Sequence, residues 1–199
     1  MKTIIIGGSG LFGLNWAIKQ YQTDEIILLL HNKYVEFNGV KSIKIDYNNF
    51  KTLEENIKNL EPDLIINAAA ITNVDFCESN VNLTYEANVL LAFDLAKIAC
   101  KLNTKFIHIS TDHLFDGINE IYFENDNPNP LNQYAKSKAE AEEKVLSIYK
   151  KSLIIRTNFF CWGPIYRKTF SETIVDSLRN NQNLYFKLLS LRLNTTTTK

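Results

Sequence analysis

Tyr134 and Lys138 stand four residues apart in a segment, Leu131 to Lys150, that reads as a helix. At that spacing both side chains lie on one face, one turn apart. A phenol beside an ammonium is a device for moving a proton. An isolated Tyr titrates near about 10, and a cation within a few ångström favours the phenolate and pulls that value down. A Tyr tuned in this way can give or take a proton near neutral pH, as carbonyl reduction or alcohol oxidation requires. Alone, the same spacing also describes an ordinary solvated helix, so the rest of the chain has to decide.

Five other places bear on that chemistry. Gly7, Gly10 and Gly13 form G-x-x-G-x-x-G directly after a β-branched run, Lys2 to Ile6, and open a helical pattern. Strand, glycine turn and helix in this order are the dinucleotide fingerprint: the backbone turns sharply and approaches a pyrophosphate, which the free N–H groups of the helix start then attract. The second apolar run ends Leu30-His31-Asn32-Lys33, with no carboxylate to bind a ribose 2′-hydroxyl. His31 and Lys33 could instead accept a 2′-phosphate, which favours NADPH and leaves NADH open. Asp46 follows the third run, placed to reach an adenine amino group or simply to face solvent. Asn67-Ala68-Ala69-Ala70 ends the fourth run with small side chains against which a flat ligand could lie. Thr111 closes Ser110-Thr111 at the end of the fifth run, the edge where open α/β sheets hold ligands.

The elements that must position these residues alternate. Strands are expected at Lys2–Ile6, Glu25–Leu30, Ser42–Ile45, Asp63–Ala70, Lys105–Ile109 and Ser152–Thr157. Helical spacing marks the stretch after Gly13 to about Tyr21, then Phe50–Leu60, Asn82–Leu102, the Tyr134 segment and Phe170–Leu178. Near-continuous apolar strands separated by helices predict right-handed crossovers and an α/β fold: a Rossmann-like, doubly wound parallel sheet with helices on both faces. Residues 1–160 are expected to form the dinucleotide-binding domain. Residues 161–199 read as the start of a substrate-binding region that is largely absent, ending in the low-complexity Asn194-Thr195-Thr196-Thr197-Thr198-Lys199.

Composition sets the outer limits. Of 199 residues, 45% are hydrophobic, enough for a sizeable core, and 22 Lys plus Arg balance 22 Asp plus Glu. That balance gives no electrostatic case for nucleic acid or an anionic membrane. Cys77, Cys100 and Cys161 are widely spaced and odd in number, as expected for reduced thiols in a cytoplasmic protein. No apolar run reaches membrane-spanning length.

Together these features resemble the short-chain dehydrogenase/reductase superfamily, in its extended, nucleotide-sugar-modifying branch. The segments from Asn67 to Asp75, from Ser110 to Gly117 and Arg156-Thr157-Asn158 are most similar to the dTDP-4-dehydrorhamnose reductase family. The resemblance implies a catalytic trio of Thr111, Tyr134 and Lys138. Tyr134 would protonate the sugar C4 oxygen, Lys138 would lower the Tyr134 pKa and hold the nicotinamide ribose, and Thr111 would orient the carbonyl. Cofactor contacts are implied for Gly7, Gly10, Leu11, Phe12, Gly13, His31, Asp46, Ala68, Ala69, Ala70, Asn88, Tyr134 and Lys138. The loop from His113 to Pro130 and the segment after Thr157 would face the nucleotide sugar, and homodimerisation stays open. Members of the family continue for about another hundred residues.

The implied function is NADPH-dependent reduction of a 4-keto nucleotide sugar in deoxysugar synthesis. Two alternatives stay open: another extended-branch epimerase or dehydratase, and a non-catalytic NAD(P)-binding regulatory or truncated module. Asp112 after Thr111, where a dehydratase usually needs Glu, weakens the dehydratase.

Overall fold

The apolar runs of the sequence form strands buried on both faces. In a computed structural model of the protein the structure describes residues 1–159, 162–164, 166 and 168–183. The strands are β1 (Lys2–Ile6), β2 (Glu25–Leu30), β3 (Lys41–Lys44), β4 (Leu64–Asn67), β5 (Lys105–Thr111) and β6 (Leu153–Thr157). They pair in the order β3-β2-β1-β4-β5-β6, every pair parallel. This is the doubly wound arrangement, and its strand order reverses between β1 and β4.

Successive residues of β1 serve opposite cores. Ile4 and Ile6 face one side with Leu53, Ile57, Leu95 and Val145, whereas Ile5 faces the other with Ala17, Leu28 and Ile66. A strand covered on both sides cannot alternate with polar residues, which is why these runs are continuous. Helix α1 (Leu11–Gln20) covers the second side; α2 (Phe50–Leu60) and the helices that follow β4 and β5 cover the first. Each buried isoleucine contributes about 1.5–3 kcal/mol, so β1 anchors both halves.

Helix starts follow their caps. The side chains of Asn49 and Asn132 accept from Thr52 N and Ala135 N at the starts of α2 and α6 (Gln133–Ile148). Asn73 does the same for a short helix that the sequence reading omits, α3 (Val74–Ser79). The long helix expected over Asn82–Leu102 is instead α4 (Val81–Tyr85) running through a π-turn at Glu86–Leu90 into α5 (Leu91–Leu102). The expected helix at Phe170–Leu178 is α7 (Phe170–Arg179). The apolar stretch at Leu184–Leu189, the polar tail and Cys161 lie outside the described residues. Among those described, no helix is long and apolar enough to cross a membrane.

Candidate active site

At the carboxyl edge of the sheet, where the strand order reverses, the chain encloses an open cavity of about 610 Å³. Gly7, Gly10, Leu11 and Phe12 line it from the first turn, His31 from the end of β2, and Ala68, Ala69 and Ala70 from the end of β4. Thr111, Tyr134 and Lys138 line it from β5 and α6.

The glycine turn is built by close approach. Gly7 has φ +79, and a Cβ there would lie 2.6 Å from Ala69 N and 2.8 Å from Ala68 O. Gly10 caps α1 with no side-chain bond, so the first-turn N–H groups of α1 meet no capping oxygen. The Gly10 N–H donates to Gly7 O at 2.9 Å and closes the turn. Such a cradle fits a dinucleotide: bare backbone, an uncapped helix start and three alanines.

Thr111 and Lys138 are buried, and Tyr134 is half-buried between them. Thr111 accepts from His113 N at 3.2 Å, and its hydroxyl hydrogen-bonds the Tyr134 phenol. The electrostatics correct one expectation. Burial pushes the Tyr134 phenol up from its ordinary value, the Thr111 bond pulls it down, and Asp112 and Cys77 push it up further. Lys138 does not depress it here, because its Nζ is turned into the sheet, donating to Ile109 O at 2.7 Å and lying 3.1 Å from His108 Nε2. Desolvation lowers Lys138 to about 8, partly offset by Glu142.

Asn88 does not line the cavity. It sits on the π-turn, buried, and ties three segments together. Its Oδ1 accepts from Ile71 N at 2.7 Å, and its Nδ2 donates to Ile71 O at 3.0 Å and to Ser137 Oγ at 2.9 Å. Ser137 Oγ in turn donates to Tyr134 O at 2.7 Å. The wider π-turn is the kind of local distortion that re-aims a side chain at a functional site. Asn88→Ala should cost about 1–3 kcal/mol in urea unfolding, because it removes the partner of the part-buried Ile71 N–H and C=O. A loss below about 0.5 kcal/mol would show that these bonds do not hold the site.

Comparison with known proteins decides the family. A model described as the RmlD substrate binding domain matches residues 1–190. The chain belongs to the RmlD substrate-binding domain family. It is 36% identical over 184 residues to a dTDP-4-dehydrorhamnose reductase of Aggregatibacter actinomycetemcomitans, covering 92% of this chain and 59% of that one. A dTDP-4-dehydrorhamnose reductase structure from Clostridium acetobutylicum superposes with a TM-score of 0.76 at 27% identity, covering 90% of this chain and 60% of that one. Another from Bacillus anthracis, in complex with NADP, gives 0.67 at 28%, covering 78% and 52%. The chain thus spans little more than half the length of these RmlD-family relatives.

Within this RmlD-family fold, three of the expected contacts fall elsewhere. Gly13 lies under the turn, where a Cβ would come within 2.7 Å of Gly8 Cα; its lack of a side chain serves helix–strand packing. Asp46 is exposed and accepts from Asn48 N at 2.9 Å; its neighbour Tyr47 lines the cavity, stacked on His31 at 5.3 Å. Asn88 supports the loop after β4, as described above. Of the loop from His113 to Pro130, only His113 reaches the cavity. The rest is held by Asp116, which accepts from Ile118 N, Tyr122 and Asn129, by Phe115 stacked on Tyr122, and by Arg156 of β6, which donates to Glu124 O at 3.1 Å.

The segment after Thr157, expected to face the nucleotide sugar, does reach the cavity. Phe159 packs 5.4 Å from Phe12 as an aromatic wall, and Lys168 and Thr169 line the cavity ahead of α7. Arg156, quoted above as part of a motif, ties β6 to α6 through Glu142 at 2.8 Å. His108, a buried polar residue between Ile107 and Ile109 of β5, sits beneath Lys138; no spacing signal marks it.

Proposed function

We propose that this chain forms the cofactor-binding and proton-donating part of an NADPH-dependent reductase acting on the C4 ketone of a nucleotide-activated sugar, in deoxysugar synthesis. One observation carries the reading: the glycine turn and the Thr111, Tyr134 and Lys138 side chains open into the same cavity. Family membership supports it, as does the NADP in the Bacillus anthracis structure.

Gly7, Gly10, Leu11 and Phe12 would hold the pyrophosphate against the backbone of α1, and Ala68 to Ala70 would let the adenosine half lie flat. His31, Asn32 and Lys33 line the ribose end, with no carboxylate there to repel a 2′-phosphate. Bound NADPH would supply the hydride. Thr111 would hold the ketone oxygen beside Tyr134, whose raised pKa keeps it protonated, and able to donate, at neutral pH. Lys138, still largely charged at pH 7, lines the same cavity and would hold the nicotinamide ribose. The regions of the relatives that this chain does not match would supply further sugar contacts.

The test is direct. Purified protein is titrated with NADPH, then given a dTDP-4-keto sugar while the nicotinamide absorbance is followed. Loss of absorbance supports the reductase. Binding without turnover favours the non-catalytic module, and no binding at all sinks both.

A further inference from the structure

Beneath Lys138 runs a chain of buried polar groups with a fixed direction. Ala69 N, a donor only, donates to Asn67 Oδ1 at 3.1 Å. That bond orients the Asn67 amide and leaves its Nδ2 toward His108 Nδ1 at 3.1 Å. Asn67 and His108 are 1% and 0% exposed, so water cannot substitute for a missing partner. Nδ1 must therefore accept, and a neutral His108 carries its one proton on Nε2. Nε2 faces Lys138 Nζ at 3.1 Å, and Nζ also donates to Ile109 O at 2.7 Å.

An ammonium has three donors and no acceptor. With Lys138 charged, the N–H of His108 meets an N–H of Lys138. With Lys138 neutral, its lone pair accepts from His108 and one N–H still serves Ile109. The charged form can be satisfied only by moving the histidine proton to Nδ1, against the Asn67 amide. Flipping that amide would then leave Ala69 N unpaired.

We propose that Asn67 and His108 are positioning residues that hold His108 as its Nε2–H tautomer, so that Lys138 gives up its proton readily. The consequence for turnover rests on the reductase reading above. In that reading the Lys138 charge is lost sooner as pH rises: one N–H bond of Lys138 breaks, the proton passes to solvent, and the amine left behind accepts from His108 Nε2.

Other charges around Lys138 do not reproduce this. Glu142 of α6 raises the Lys138 pKa and is itself paired with Arg156 of β6. Asp112 beyond β5 and Cys77 of α3 act on Tyr134, the remaining titratable group on this face of α6. Burial lowers both His108 and Lys138, in the direction the hydrogen bonds require.

The test needs no substrate, so it stands apart from the activity. In full-length protein labelled with 15N-histidine and 13C-lysine, NMR reads the His108 tautomer and the Lys138 titration together. The expected result is a protonated Nε2 and an unprotonated Nδ1 from pH 6 to 9. In Asn67→Asp, the new carboxylate should draw the histidine proton to Nδ1, so that Nε2 accepts from the ammonium. The Lys138 midpoint should then rise by at least one pH unit, about 1.4 kcal/mol. A protonated Nδ1 in the unmodified protein overturns the proposal, and it can be read even if the variant fails to fold. A shift of the His108 proton to Nδ1 in Asn67→Asp with the Lys138 midpoint unchanged overturns it too.

Discussion

Tyr134→Phe is expected to lower turnover by about 100- to 10,000-fold while changing NADPH affinity by less than about threefold. The ring keeps its place: its edge-to-face contact with His113, 6.0 Å between centroids, needs no hydroxyl. What disappears is the phenol hydroxyl, which lines the cavity with Thr111 and Lys138 and stays protonated at neutral pH. The pH profile sharpens this. Burial holds Tyr134 above its ordinary value, so its own deprotonation does not set the alkaline limb. Lys138, lowered to about 8, does. Reduction should therefore slow as pH rises through about 8, where the Lys138 charge lining the cavity is lost. Stopped-flow single turnovers separate hydride transfer from cofactor binding; equal losses in both would make Tyr134 a structural residue.

Gly7→Ala should have the second large effect, and on a different quantity. The backbone at φ +79 is strained for any L side chain, and the added methyl would meet Ala69 N at 2.6 Å. Neither neighbour can yield, since both are backbone at the junction of β1 and β4. A destabilisation of about 2–4 kcal/mol is expected, with NADPH binding lost at least 100-fold. Gly39→Ala is the control. Gly39 has a similar φ of +86, but its Cβ would meet the Tyr21 ring, remote from the cavity. It should destabilise the fold yet leave NADPH affinity unchanged. If the two variants lose affinity alike, the glycine turn is only a turn.

These outcomes also mark where sequence reading succeeds and where it stops. The limits of β1, β2 and α2 agree with the apolar runs, because a doubly covered strand and an amphipathic helix each impose a local period. The predicted fourth strand runs too far: pairing stops at Asn67, whose side chain turns to Ala69 N, and the three alanines leave the sheet to line the cavity. Helix α3 is six residues long, less than two turns, so it is too short to show a period. The π-turn at Glu86–Leu90 has no local signature at all.

By itself, then, the sequence determined the class of fold and the glycine turn, because those follow from spacing along one chain, while the Thr111, Tyr134 and Lys138 set was legible through resemblance to a family. Tertiary structure alone decided which way Lys138 points. That choice depends on His108 of β5 and on Asn67 of β4, 41 residues apart yet 3.1 Å from each other. Burial does the rest, since a charge moved out of water answers to whichever partners the fold brings to it.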